Sequence, residues 1–126
     1  MLDHLVGKIR NNADQIVEVD HYRTEDAKVV VVAYGSASRS ALQAVKEARH
    51  ENKKVGLLRL ITPWPFPSKE VERLSAKTKA LIVPEVNYGQ MEHAVREFAS
   101  CPVIGLHHAA GTLIPPESIY AALEKI

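Results

Sequence analysis

KVVVVAYGSASRSALQAVKEARHENKKVGLLRL, residues 28–60, holds the pattern on which the fold turns. Residues 29–34 form an apolar run without a polar break until Tyr34. Runs of this kind, rich in Val and lacking alternation, are what strands covered on both faces look like. The period then changes. Ala41, Ala44, Val45 and Ala48 recur at i, i+3, i+4 and i+7, which gives a helix one apolar stripe to lay against a sheet. A second run at 55–60 completes a strand–helix–strand unit, and such units wind right-handed between parallel neighbours.

The same pattern extends in both directions. Downstream, ALIVPEV at 80–86 reads as a third buried strand and PVIGLH at 102–107 as a shorter fourth. Helical stripes follow: Met91, Ala94, Val95 and Phe98 after the third strand, then Ile119, Ala122, Leu123 and Ile126. A weaker helix with Val71 and Leu74 follows the second strand, with Ser68 as its N-cap and Glu70 favourable in its first turn. Upstream, QIVEVDHYR at 15–23 alternates and is more polar, the mark of an additional strand at a sheet edge. Leu2, Leu5, Val6 and Ile9 repeat at helical spacing. Residues 1–14 are therefore expected to be a connecting helix, and residues 15–126 a parallel sheet with helices on both faces.

A chain of 126 residues with 46% apolar and 25% charged residues has the balance of one globular domain. Its 16 Lys and Arg against 15 Asp and Glu leave a formal net charge of +1, which gives no argument for nucleic acid or an anionic membrane as partner. Cys101 is the single cysteine, so an internal disulfide, a thiolate-held iron–sulfur cluster and a Cys-based zinc site are excluded. The opening MLDHLVGKIRNN lacks the apolar segment of a signal peptide, and no stretch has the length of a membrane span. The expected location is the cytoplasm.

Ligands and partners of open parallel sheets meet the carboxyl ends of the strands, which selects the loops at 35–38, 62–68, 86–89 and 108–112. In the first, Gly35, Ser36 and Ser38 stand between strand and helix, with Arg39 beside them. Free amides at a helix start with small hydroxyls can hold an anion, although the run matches neither a dinucleotide fingerprint nor a P-loop. The plainer alternative is that Gly35 permits a tight turn and Ser36 or Ser38 caps the helix. In the third loop, Glu85 and Asn87 can pair with a partner's donors or fasten the neighbouring helix. His107 and His108 point to opposite faces of a strand and make poor joint ligands, so no metal site is expected. No nucleophile elbow appears, and no catalytic residue is assigned.

The second loop is the most unusual. TPWPFP at 62–67 sets Trp64 and Phe66 among three prolines. Aromatics on a stiff frame lose little entropy when something packs on them. The loop is either an interface anchor or a cover folded back over the domain's own helix, and the residues leave both open.

Four stretches, VVVVAYGSASRSALQAVKEAR, KVGLLRLITPWPFP, LIVPEVNYGQM and the closing GTLIPPESI, resemble in order and spacing the C-terminal domain of the alpha subunit of 2-oxoacid:ferredoxin oxidoreductases, the 2-oxoglutarate type most of all. The match runs from about residue 15 to the end of the chain. The resemblance implies an α/β, transketolase C-terminal-like fold of three layers, α/β/α, with a mostly parallel five-stranded sheet and an antiparallel edge strand. It implies a non-catalytic domain, or a split subunit, of a complex acting on 2-oxoglutarate or a pyruvate-like acid. Such a complex decarboxylates the acid on thiamine diphosphate, passes electrons through iron–sulfur clusters to ferredoxin, and forms an acyl-CoA.

Thiamine diphosphate, magnesium, the iron–sulfur cluster and CoA then belong to the full complex, and none to this chain alone. The implied partners are the remaining alpha-subunit domain and the beta subunit, with ferredoxin an indirect one and a homo-oligomer also allowed. Under this reading TPWPFP is a rigid platform with both aromatics at least partly accessible. Thr62, Trp64, Phe66, Glu85, Asn87, Tyr88 and Gln90 are its interface candidates. The competing reading is an autonomous anion- or nucleotide-binding module that uses Gly35, Ser36, Ser38 and Arg39. The tail departs from the family: Pro115 stands where a hydroxyl N-cap is expected.

Overall fold

The computed structural model describes residues 6–12, 15–35, 37–61, 66–85, 90–107 and 114–125. Along them run β1 (Val6–Asn12), β2 (Gln15–Tyr22), β3 (Val29–Tyr34), α1 (Ala37–His50), β4 (Val55–Leu60), α2 (Ser68–Ser75), β5 (Ala80–Glu85), α3 (Gln90–Phe98), β6 (Val103–His107) and α4 (Pro116–Glu124). The strands build one sheet in the order β1-β2-β4-β3-β5-β6. β4, β3, β5 and β6 are parallel, as their helical crossovers require. β2 runs antiparallel to β4, and β1 antiparallel to β2.

Two expectations are corrected at this flank. Residues 6–12 are strand, not helix, and β2 is not the edge of the sheet. A short isolated helix is marginal in water, whereas the outer side of β2 offers unpaired backbone donors and acceptors. Pairing from Val6↔Asp20 to Arg10↔Ile16 satisfies them, and this outweighs the helical spacing of a few apolar residues. The sheet therefore has six strands: the expected mixed five, β2 to β6, and β1 outside them.

Successive residues of β3 serve opposite faces. Val30 and Val32 pack with Leu58, Leu60, Leu81 and Val83 under Val71 and Leu74 of α2 and Val95 of α3. Val29, Val31 and Ala33 pack with Val55, Leu57 and Ile82 under the alanine stripe of α1 and under Ile119 and Leu123 of α4. Full burial of each large aliphatic side chain stabilises by about 1.5–3 kcal/mol, so the three layers rest on both faces of the central strands. Ser68, expected as the N-cap of α2, is its first helical residue; Pro67 holds the cap position without a side-chain bond. Pro115 precedes α4 in the same way.

The amino end of the parallel strands is drawn tight. A Cβ at Gly56 would stand 2.6 Å from the Arg23 carbonyl oxygen and 2.8 Å from Thr24 Cα, so glycine is what lets the β2–β3 turn lie against β4. Arg49, in the last turn of α1, reaches the same turn. Its guanidinium donates to both carboxylate oxygens of Asp26, at 2.6 and 3.1 Å, and to the Arg23 carbonyl at 2.9 Å. Its Nε donates to the Val55 carbonyl at 2.8 Å. The hydrogen bonds from Arg49 hold the Asp26 carboxyl down to about 2.

Candidate functional site

The strand order places a topological switch beside β3. From β3 the chain crosses through α1 to β4 on one side, while from β5, on the other side of β3, it crosses through α3 to β6 and away. Crevices of open α/β sheets lie outside the carboxyl ends of strands related in this way, here β3 and β5. The hydrogen-bonded ladder also ends early there. β3 stays paired with β4 to Tyr34↔Leu60, and β5 with β6 to Glu85↔His107. The register between β3 and β5 ends at Val31↔Ile82. Pro84, which has no N–H to give, falls in the stretch beyond.

Two of the loops selected from sequence follow these strands in the chain, at 35–38 after β3 and at 86–89 after β5, the latter outside the described residues. Gly35 has φ 68°, in the left-handed region that costs an L side chain roughly 1–2 kcal/mol, so its expected backbone role is met. Ser38 does not cap α1. It is buried in the first turn of the helix, and its hydroxyl donates to the Gly35 carbonyl at 2.5 Å. That carbonyl also accepts the Ser38 N–H at 3.0 Å. With its proton spent on the backbone and its side chain covered, Ser38 leaves the anion-binding set. Arg39 is exposed, and Ser36 lies outside the described residues.

Glu85 turns inward. It is buried, and its two carboxylate oxygens accept the N–H groups of Met91, at 3.1 Å, and Glu92, at 3.0 Å. These are amides that α3 leaves unpaired at its start, and a carboxylate there also faces the positive end of the helix dipole. Glu85 thus fastens β5 to α3, the plainer of its two expected roles, and does not present itself to a partner. Asn87 and Tyr88 lie outside the described residues. Gln90 opens α3.

Of the Pro-rich loop, Phe66 and Pro67 are among the described residues. Phe66 is corrected: it is 8% exposed and stacks on Phe98 of α3 with ring centroids 5.8 Å apart, inside the layer under α2 and α3. The turn into α2 aims the ring downward into that layer, where Phe98 offers a flat partner. Thr62 and Trp64 lie outside the described residues. Sequence reasoning passed over two other side chains. Tyr34, 43% exposed, ends β3, and Ile61, 37% exposed, follows β4. The pairing Tyr34↔Leu60 makes them neighbours at the carboxyl end. The signal was present in the apolar runs, which continue to the last residue before each turn.

A buried polar cluster joins β2 to α2. His21 Nε2 lies 3.1 Å from Glu70 Oε1, and its Nδ1 lies 2.8 Å from Thr24 Oγ1. Arg73 also donates to Glu70 Oε1. Burial raises the Glu70 carboxyl, but the hydrogen bonds from His21 and Arg73 outweigh it and bring the group down to about 2. Thr, His and Glu in a row have the groups of a hydrolytic relay. Thr24 is only 3% exposed, however, so no substrate atom reaches its hydroxyl. The cluster is a clasp. Among the described residues no three His, Cys, Asp or Glu side chains gather as a metal ion would need. No described helix is long and apolar enough to cross a membrane.

Residues 27–119 match the family model of pyruvate:ferredoxin oxidoreductase core domain II. The chain is 41% identical over 100 residues to the 2-oxoglutarate synthase subunit KorA of Methanothermobacter marburgensis, which covers 79% of this chain and 27% of that subunit. A solved structure, 2-oxoglutarate:ferredoxin oxidoreductase from Magnetococcus marinus with 2-oxoglutarate, coenzyme A and succinyl-CoA bound, is similar at 27% identity and a TM-score of 0.77. The likeness covers 86% of this chain and 19% of that one. A split-gene transketolase, an inactive beta4 tetramer, shares the fold at a TM-score of 0.68 and 22% identity, over 80% of this chain and 38% of its own. The chain spans between 27% and 34% of the length of the 2-oxoglutarate synthase subunits KorA from two Methanothermobacter species and Methanocaldococcus jannaschii.

Proposed function

Because the chain belongs to the pyruvate:ferredoxin oxidoreductase core domain II family, we propose that it works as the non-catalytic C-terminal domain, or as a split alpha subunit, of a cytoplasmic 2-oxoacid:ferredoxin oxidoreductase. The observation that carries this reading is a family match over residues 27–119 in a chain that aligns with 27% of a related subunit. 2-Oxoglutarate is the favoured substrate of the assembled enzyme, since both the subunit from Methanothermobacter and the structure from Magnetococcus are named for it. The complex then carries out oxidative decarboxylation on thiamine diphosphate, with CoA as acyl acceptor and ferredoxin as electron acceptor.

The contribution of this chain is contact and not chemistry. One cysteine does not make an iron–sulfur site, and among the described residues no three His, Cys, Asp or Glu side chains gather as a metal ion would need. The thiamine diphosphate, its magnesium, the cluster and CoA are therefore assigned to the rest of the complex. Tyr34 and Ile61, at the carboxyl ends of β3 and β4 beside the crevice, form the contact surface for the remaining alpha-subunit domain, with the beta subunit as the further partner. Covering them removes apolar area from water at roughly 25 cal/mol per Å².

The test is CoA-dependent reduction of a viologen dye by 2-oxoglutarate. The chain alone, supplied with thiamine diphosphate, magnesium and CoA, should be inactive. Mixing it with the remaining alpha portion and the beta subunit should restore turnover that is lost when the chain is omitted. Turnover by the chain alone, or full turnover without it, overturns the reading. A rise in melting temperature of the isolated chain with CoA or phosphate favours the autonomous anion-binding module instead.

A further inference from the structure

The opposite end of the sheet carries a charge pattern that these contacts do not use. Lys54, Lys28 and Lys79 each stand immediately before a parallel strand, β4, β3 and β5 respectively. The registers Val29↔Val55 and Val29↔Ala80 set them side by side with Lys28 in the middle. The backbone joins them directly: the Lys28 N–H donates to the Lys54 carbonyl at 2.8 Å, and the Lys79 N–H to the Lys28 carbonyl at 2.6 Å. Neighbouring strands lie about 4.8 Å apart, so three cationic side chains leave one edge of the molecule within roughly 10 Å of one another. All three residues are exposed.

The chain neutralises this row only in part. Arg49, Arg59, Arg73 and Arg96 each meet a carboxylate, whereas among the described residues none of the three lysines has an ion-pair partner. The acidic groups of the same rim are partly engaged. Asp26, whose carboxylate Lys54 also stabilises, is held by Arg49. Glu51 accepts the Tyr120 hydroxyl. Glu25 is exposed, and its carbonyl takes Lys77 Nζ at 3.0 Å. Lys53 and Lys77 lie just beyond the ends of α1 and α2, where the helix dipole favours a cation. That explanation does not extend to a row at the strand entrances. Like charges placed side by side on adjacent strands are destabilising, and the whole chain is only +1, so the row is a local concentration.

We propose that Lys54, Lys28 and Lys79 form a docking surface for an acidic protein segment, a strip of carboxylates laid along the amino edge of the sheet. Charge complementarity selects the occupant. A nucleic-acid surface would call for a broader basic face or for aromatic faces for bases, and three lysines in a row on a chain of net charge +1 offer neither. Strongly hydrated lysine point charges suit exposed carboxylates, where they steer association and fix its orientation. This face lies at the other end of the strands from Tyr34 and Ile61, so it is independent of the contacts proposed there.

The probe is poly-L-glutamate titrated into the full chain at low and high salt, with inorganic polyphosphate and single-stranded oligo(dT) as competing arms. Polyglutamate should bind, and added salt should weaken it. The triple variant Lys28→Glu, Lys54→Glu, Lys79→Glu should lose about tenfold or more in affinity. The control Lys46→Glu, Lys69→Glu, Lys125→Glu makes the same change in net charge at exposed positions elsewhere, and should stay within about twofold. Equal losses in both triples reduce the effect to net charge and overturn the proposal. Absence of salt-dependent binding also overturns it, as does tighter binding of polyphosphate or oligo(dT). If the reversed triple does not fold, Lys28→Gln, Lys54→Gln, Lys79→Gln replaces it, with the same direction expected.

Discussion

At the amino end of the parallel strands, Gly56 lets the β2–β3 turn press onto β4, and Arg49 ties that turn to the last turn of α1. At the carboxyl end, the hydrogen-bonded register of β3 with β5 stops at Val31↔Ile82, and Tyr34 and Ile61 are partly exposed. Both ends close the same sheet and are reached by equally apolar strands. The difference lies in who supplies the cover. The amino end is finished by its own turns, through close backbone approach and hydrogen bonds. Among the described residues of the carboxyl end, Tyr34 and Ile61 are left partly uncovered, and under the proposed function a neighbouring domain would cover them.

The comparison is sharpest where a described side chain of the carboxyl end, Phe66, folds inward. Phe66→Ala should destabilise the isolated chain by about 3–5 kcal/mol in urea unfolding, because it empties the space against Phe98. A cost near zero would mean that the ring does not belong to the core. At the amino end, Gly56→Ala should cost about 1–3 kcal/mol, since its Cβ meets backbone atoms that cannot swing aside. An unchanged melting temperature would show that the turn does not press on β4.

Acid should loosen the flank of the sheet next. The folded Glu70 carboxyl, at about 2, lies below its ordinary value of 4.5, so folding favours its ionised form. The stabilisation is fully present above about pH 4.5 and is lost as pH falls toward 2. Glu70→Gln should flatten the stability profile across that window, as read by thermal unfolding. The smallest effect on folding belongs to the pair on which the comparison rests. Tyr34→Ser with Ile61→Ser should change stability by no more than about 0.5 kcal/mol, yet weaken assembly with the remaining alpha portion, measured by co-purification. A large folding loss would mean that these residues serve this domain's own core.

The buried strands and the helices between them were legible because each carries a period that a single neighbour cannot mimic. The runs at 29–34 and 55–60 are apolar on both faces, and the stripe through Ala41 and Ala48 fits nothing but a helix on a sheet. β1 was misread because helical spacing among four apolar residues is cheap to meet by chance, and its strand state depends on β2. Glu85 and Phe66 were undecided for a related reason. A carboxylate at a strand end, or an aromatic between prolines, suits both an inward and an outward role. The direction is set by where α3 brings the Met91 amide and the Phe98 ring. Tyr34 and Ile61 were missed because the reading treated the end of an apolar run as the end of burial.

The hairpin that moved the sheet's edge from β2 to β1 also bears on how the protein behaves in crowded solution. An edge strand carries a free row of backbone donors and acceptors, which is a template for growth by a second sheet. Here that position is held by VGKIRNN, a segment with Lys8 and Arg10 and a slip in register between Arg10 and Asn12. Charge and irregularity of this kind discourage strand-by-strand polymerisation. The more regular and apolar IVEV of β2 is kept one row inside. Shortening the first strand is therefore expected to expose a better template for aggregation, read as light scattering on concentration, while leaving the five inner strands paired as before.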